Sequence, residues 1–347
     1  MSRMPRHILV TGVGAPPGLG LMRSLRDCPL ALTLTGADIS PFAAGLHEPG
    51  CAALVLPRAD TPHYVDAVLE ACRLHEIDTV IPCSEAELDI LAREKPRFAA
   101  ASIQLPIADP EVMAFGIDKA LLLERAAATG LPHPRTLAPQ SEAELANWKG
   151  RFPCVIKPAR SRGARGVSYP ADALDLRKAW RQTTAEHGPC LVQDFIPGGA
   201  DTVYTIGSLW QEGRLIASSL HRKLATNPPN GGVAIAGETV VDPDILGAGL
   251  AVLHATGPWH GLTAVEVKCP APGEAAQLLE INPRMWGFGY LMTLAGLNMP
   301  ELLVRMLAGE FDQTDPDPDQ LRYSPLRVVR SWEDRVMRPE SGLEKVS

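Results

Sequence analysis

Two glutamates, an asparagine and an arginine late in the chain have the types and spacing that chemistry needs. They fall in residues 261–289, which read GLTAVEVKCPAPGEAAQLLEINPRMWGFG. The apolar runs 262–268 and 276–282 flank a Pro/Gly-rich connection and predict neighbouring antiparallel strands. Residues two apart on a strand share a face, so Glu280 and Asn282 project together. Pairing centred on the loop brings Glu266 opposite them to within a residue. Two carboxylates and an amide oxygen then converge, a donor set for a hard cation, Mg2+ or Mn2+, that takes its remaining ligands from phosphate and water. Arg284, two residues on, is spaced to hold a phosphate bidentately. The competing arrangement is a solvated hairpin in which Arg284 merely bridges one of the acids. Trp286 and Gly287 behind the Asn282-Pro283-Arg284 turn favour a lined cavity, and both are candidate substrate contacts.

The run LLEINPRMWG resembles the metal-binding end of the ATP-grasp superfamily, in the branch similar to the carbamoyl phosphate synthase large subunit and the carboxylate-amine ligases. The resemblance implies further pieces upstream, and they occur in order. Asp118 caps a predicted helix and Lys119 opens it, an unfavourable place for a cation against the helix dipole. The turn GLPHPRT (130–136) follows, and in this family such a lysine reaches phosphate. The stretch FPCVIKPARSRGARGVSY (152–169) delivers Lys157 from a strand into a glycine-rich loop. Glycines let backbone N–H groups approach phosphate oxygens. The resemblance assigns Lys157, Ser161 and Gly163 to the nucleotide phosphates.

By the same likeness CLVQDFI (190–196) is the adenine hinge, with Gln193, Asp194, Phe195 and Ile196 around the base and Asp201 at the ribose. Many relatives carry Glu where this chain has Gln193 and Asp194. Residues 215–220 predict a strand ending at His221-Arg222-Lys223, then a flexible loop, TNPPNGGVAIAGE. A basic residue there implies a γ-phosphate contact, with Arg222 chosen narrowly over Lys223.

The first hundred residues alternate strand and helix, with strands at 7–11, 32–37, 52–56 and 79–82, and imply a parallel Rossmann-like sheet. Gly12, Gly14, Gly18 and Gly20, with Asp38 a strand later, approach a dinucleotide fingerprint, but the spacing GxGxxxGxG departs from GxGxxG. Glu85 lies after a strand end, where open α/β sheets place ligands, and could meet a substrate amine. The competing reading is a first-turn acid of a helix capped by Ser84.

Composition bounds the rest. The chain has 347 residues, 46% hydrophobic and 21% charged, with net charge -7. That balance argues against a nucleic-acid partner, so anionic substrates need local cations. Seven unclustered cysteines suggest a reducing, cytoplasmic setting, and no run is long and apolar enough to span a membrane. The nine histidines form no zinc motif. The expected organisation is a Rossmann-like domain (1–108), a small lid (109–192), a C-terminal sheet domain with the metal site (193–325) and a tail (326–347) with an edge strand at 326–329 and a loose end. The resemblance implies an α/β ATP-grasp fold using ATP and Mg2+ (or Mn2+) to join small-molecule carboxylate and amine substrates through an acylphosphate, with a homodimer compatible. An ATP-dependent carboxylase or carbamate-forming enzyme, and more remotely an NAD(P)-dependent reductase, are the alternatives.

Overall fold

The computed structural model describes residues 4–161, 165–229, 232–271, 273–311, 322–331 and 344–346. Gly163 and most of the acidic tail lie outside the described residues.

Three sheets organise the chain. The first is parallel: β1 (His7–Thr11), β2 (Thr33–Asp38), β3 (Ala52–Val55) and β4 (Thr79–Ile81), with β1 between β2 and β4. Because the sheet grows outward from β1 on both sides, a crevice opens beyond its carboxyl ends. The glycines near Gly12 have packing reasons of their own. Gly12 turns out of β1 at φ +65, and a Cβ on Gly18 would lie 2.4 Å from the Gly12 carbonyl oxygen, so the helix Pro16–Arg26 presses directly on the strand end. Asp38 accepts from the N–H groups of Gly14 (2.8 Å) and Ser40 (3.1 Å). Its carboxylate thus holds the chain's own loop.

The second sheet is small: β5 (Thr136–Leu137), β6 (Cys154–Pro158) and β7 (Cys190–Asp194), all antiparallel, backed by the helix Ala173–His187. The third has six strands, β8 (Val203–Gln211), β9 (Arg214–Asn227), β10 (Val233–Thr239), β11 (Gly261–Lys268), β12 (Gln277–Asn282) and β13 (Arg327–Val329), in the order β12-β11-β8-β9-β10-β13. The edge strand expected at 326–329 is β13. Most of the expected loose end lies outside the described residues, but Glu344–Lys345 form β14 beside β3.

One expectation is corrected here. The strand predicted to end before His221 continues to Asn227, and β10 returns beside it, Gly237 opposite Lys223 and Glu238 opposite Arg222. Glycine and proline content makes the whole stretch read as loop, yet Gly237 sits within the ladder, where a Cβ would come 3.0 Å from the Phe288 ring. Side chains alternate along a strand, so His221 and Lys223 share one face of β9 and Arg222 takes the other.

Packing joins the first and third sheets. Leu9, Val80, Leu88 and Phe98 belong to one buried cluster with Ile206, Trp210, Val265 and Leu278. A second cluster links Ile8, Val10 and Leu21 to Trp286, Phe288 and Leu303. The middle sheet keeps a separate core of Leu145, Cys154, Ile156, Leu176, Cys190 and Val192.

Candidate active site

A cleft of about 1500 Å³ runs between the carboxyl ends of the parallel sheet and the faces of the other two. Its floor is the β11–β12 ladder. Glu266 is directly opposite Glu280 and Ala264 opposite Asn282, so strand parity brings the three oxygen-bearing side chains to one patch. The Asn282 amide donates to Glu280 at 3.4 Å. Among the described residues no group of three or more His, Cys, Asp or Glu converges, so the donor set is two carboxylates plus an amide.

Cations surround these acids. Lys119 Nζ stands 3.4 Å from Glu280 and donates at 2.8 Å to the carbonyl of Ser161; Lys223 Nζ donates to Glu266 at 2.7 Å. Lys157 Nζ reaches the Leu279 carbonyl at 3.4 Å. Burial raises the Glu280 carboxyl, but Lys119, Lys157 and Lys223 more than offset that and hold it below its ordinary value. Burial pushes the Lys157 ammonium down to about 8, with Glu280 opposing and Lys119 adding to the shift. The loop after Lys157 is tied to the helix Lys119–Thr129. Ala159 accepts from the Lys119 N–H (3.0 Å), Arg160 pairs with Asp118 (3.0 Å), and Asp118 also caps the helix through the Ala120 N–H.

Arg284 links the patch to the parallel sheet. It pairs with Glu85 and donates to Asn282 Oδ1 (3.1 Å) and the Met285 carbonyl (2.8 Å), while its Nε is buried without a partner. Glu85 therefore meets a guanidinium as well as opening its helix. Its neighbour Glu87 is the buried acid, accepting from the Ser84 N–H (2.9 Å), Thr11 (2.5 Å) and Tyr64.

Behind Arg284 the wall is aromatic. A Cβ on Gly207 would lie 2.0 Å from the Trp286 ring, so that glycine is what lets the indole lie on β8. His221 stacks on Trp286 (6.4 Å, 18°) and meets Phe288 edge-on (6.0 Å, 79°). Burial, with Lys223 and Arg330 adding, pushes the His221 imidazole down to about 3, so it is neutral at ordinary pH.

At the hinge, Ile196, Phe195, Asp194 and Gln193 all line the cleft. The Gln193 amide already donates to Thr136 Oγ1 at 2.8 Å, and Asp194 accepts from the Arg151 N–H at 3.1 Å. Phe195 meets Tyr169 edge-on at 5.9 Å, with Lys268 Nζ 5.4 Å above it, giving a flat apolar slot with a cationic rim.

The cleft thus gathers Lys119, Lys157, Ser161, Gln193 to Ile196, Glu266, Glu280, Asn282, Arg284, Trp286, Gly287 and Glu85. Two of the expected residues that are described are not among its lining. Arg222 faces away, paired with Glu238, and Lys223 occupies the cleft instead. Asp201 is exposed, while its neighbours Gly199, Ala200 and Val203 line the rim. Sequence reasoning missed His221 as a wall residue and missed Arg330 altogether. A longer β9 would have signalled the first; only the path of the chain after the tail brings in the second.

Comparison with known proteins bears on the family and the fold. Residues 21–106 match the family described as PylC-like, N-terminal domain, and residues 187–329 the family described as ATP-grasp in the biosynthetic pathway with Ter operon. A D-alanine--D-alanine ligase of Stutzerimonas stutzeri (strain A1501) is 34% identical over 76 residues, which are 21% of this chain and only 24% of that ligase. An L-amino acid ligase from Bacillus licheniformis superposes with TM-score 0.68 at 18% identity, covering 89% of this chain and 77% of that one. Biotin carboxylase from Campylobacter jejuni gives 0.69 at 14% identity (90% and 72%). N5-carboxyaminoimidazole synthetase from Staphylococcus aureus, complexed with ADP, gives 0.67 at 12% identity (91% and 79%).

Proposed function

We propose that this chain, an ATP-grasp protein, is an ATP-dependent ligase that joins a carboxylate to an amine and releases ADP and phosphate. The observation that carries the reading is the convergence of Lys119, Lys157, Lys223 and Arg284 with Glu266, Glu280 and Asn282 in one cleft. A chain of net charge -7 has concentrated cations where a triphosphate would need them.

The donor chemistry fits a divalent cation. Glu266 and Glu280 offer hard oxygens from adjacent strands, and Asn282 adds an amide whose oxygen is shared with Arg284. These three residues would hold Mg2+, which would supply Lewis-acid neutralisation of phosphate charge. The chain's own groups do the rest. Lys119 and Lys157 neutralise the departing diphosphate, and Lys223 lies beside Glu266 for the γ-phosphoryl group. A substrate carboxylate oxygen attacks the γ-phosphorus; the bond to the bridging oxygen breaks and ADP leaves with that electron pair. Arg284 then offers preorganised positive charge to the acylphosphate. The amine nitrogen attacks the acyl carbon, phosphate leaves, and the nitrogen gives up a proton to form the amide. The Tyr169 and Phe195 slot suits a purine ring.

The test is ADP and phosphate release across a matrix of carboxylates and amines, with product mass recorded. A coupled product of the summed mass minus water is expected for one pair, and Glu280→Ala should abolish its formation while the chain stays folded. Stimulation by bicarbonate alone would overturn the ligase in favour of a carboxylating enzyme. Wild-type turnover in Glu280→Ala would remove the assignment of the acidic patch.

A further inference from the structure

Among the cations lining the cleft, Arg330 is one for which the reaction above has no task. Arg330 follows β13 at the far edge of the six-stranded sheet and lines the cleft beside Trp286, Gly287 and Phe288. Its guanidinium stacks 4.3 Å over the Phe288 ring, and it donates to the carbonyl of Ala234 (2.8 Å) and to that of Gly287. These contacts fix the plane of the group and leave its remaining N–H donors uncommitted.

Its charge is not matched. Glu85 is taken by Arg284, Glu266 by Lys223, and Glu238 by both Arg222 and Arg327. Among the described residues Arg330 has no carboxylate partner, although burial is sufficient to hold its ionisation below the usual arginine range. A half-buried guanidinium is costly without an anion, and its planar fork matches a carboxylate. Backbone carbonyls and an aromatic face hold it in place without neutralising it.

Position tells which anion. Lys223, which marks the phosphate end, is on β9, and Arg330 leaves β13 two strand spacings away, about 10 Å between backbones. Arg330 therefore enters the cleft from the sheet's far edge, beside Trp286 and Phe288 and away from the acidic patch. We propose that Arg330 anchors a second, non-reacting carboxylate carried by one of the two substrates, with the Trp286 and Phe288 rings covering the carbon skeleton between. This rests on the ligase reading above. The anchored group belongs either to the acid that is phosphorylated, making it a dicarboxylate, or to the attacking amine, making it an amino acid.

The experiment measures thermal shift and calorimetric affinity in wild type, Arg330→Met and Arg330→Lys, with magnesium and a non-hydrolysable ATP analogue. The probes are straight-chain diacids from malonate to adipate against their half-amides, and amino acids against their amides. For the best wild-type ligand, removing one carboxylate should weaken binding at least tenfold. Arg330→Met should erase that preference, and Arg330→Lys, which keeps the charge but not the fork, should retain part of it. A preference confined to diacids assigns the anchor to the phosphorylated acid; one confined to amino acids assigns it to the amine. If Arg330→Met loses its near-ultraviolet circular dichroism, the wild-type preference together with Arg330→Lys decides the matter. Equal affinity with and without the second carboxylate, a preference surviving in the variants, or no binding by any probe overturns the anchor while the ligase reading stands on analogue binding and ADP release. Failure of the analogue to bind wild type overturns both.

Discussion

Replacing Lys157 by Met should give a protein that is more stable and inactive. Burial, only partly offset by Glu280, holds the Lys157 ammonium at about 8 against an ordinary 10.5. Each tenfold loss of proton affinity corresponds to about 1.4 kcal/mol, so the gap is roughly 3 kcal/mol, and partial access to cleft water reduces this to about 2–3 kcal/mol. The sign follows from proton linkage. Between about pH 8 and 10.5 the unfolded chain binds the proton more tightly than the folded one, so wild-type stability climbs with pH across that window. At pH 7 the full penalty is present, and Met removes it while conserving most of the stem's packing. Glu280 keeps Lys119 and Lys223 as partners, so its own charge is not stranded. In urea titrations of ligand-free protein, Lys157→Met should gain up to about 2–3 kcal/mol at pH 7 and lack the alkaline climb. ADP release should fall at least about a hundredfold, the scale of removing one preorganised charge donor. A variant less stable than wild type, or one whose turnover stays within tenfold, would refute the reasoning.

Four further substitutions probe the same geometry. Arg222→Ala should cost about 1 kcal/mol, since Glu238 retains Arg327, and leave ADP release within about twofold, whereas Lys223→Met should lower it at least tenfold; paired steady-state assays decide. His221 is held near 3, so the unfolded chain takes up its proton first as pH falls below about 6.5. Denaturant titrations should show wild type losing about 1.4 kcal/mol for each further fall of one in pH, a slope that His221→Leu flattens. Gly18→Ala forces a Cβ against the Gly12 carbonyl and should lower stability by about 1–3 kcal/mol in the same titrations, without any dinucleotide being involved.

What the sequence reveals divides along local and distant relations. The meeting of Glu266 with Glu280 follows from strand parity and a centred loop, both properties of one short stretch, and the register bears it out. The parallel first sheet, the capped helix opening at Lys119 and the Gly130 stop likewise follow from nearby residues. Arg222 is the better choice over Lys223 only for a strand that stops at 220; with β9 running to Asn227, alternation alone reverses the choice. Gln193 reads as an open amide in sequence, yet Thr136, 57 positions earlier, engages it. Arg330 has no motif at all. It reaches the cleft because β13 pairs with β10 and carries the following residue past Gly287, a relation no spacing within the chain encodes.

The division of the hydrophobic cores sets which parts can move. Side chains of the parallel sheet and of the β11–β12 region interlock, so any surface they share behaves as a fixed anvil. The sheet of β5, β6 and β7 has its own small core and is tethered near the cleft by the Lys119, Asp118 and Ser161 contacts. That piece meets the helix Lys119–Thr129 through these polar ties and a small apolar contact of Leu123, Ala159 and Leu191, so any opening of the cleft would fall to it. An arriving anion that took Lys119 from the Ser161 carbonyl would loosen one of the several ties that hold the jaw, linking ligand entry to its mobility.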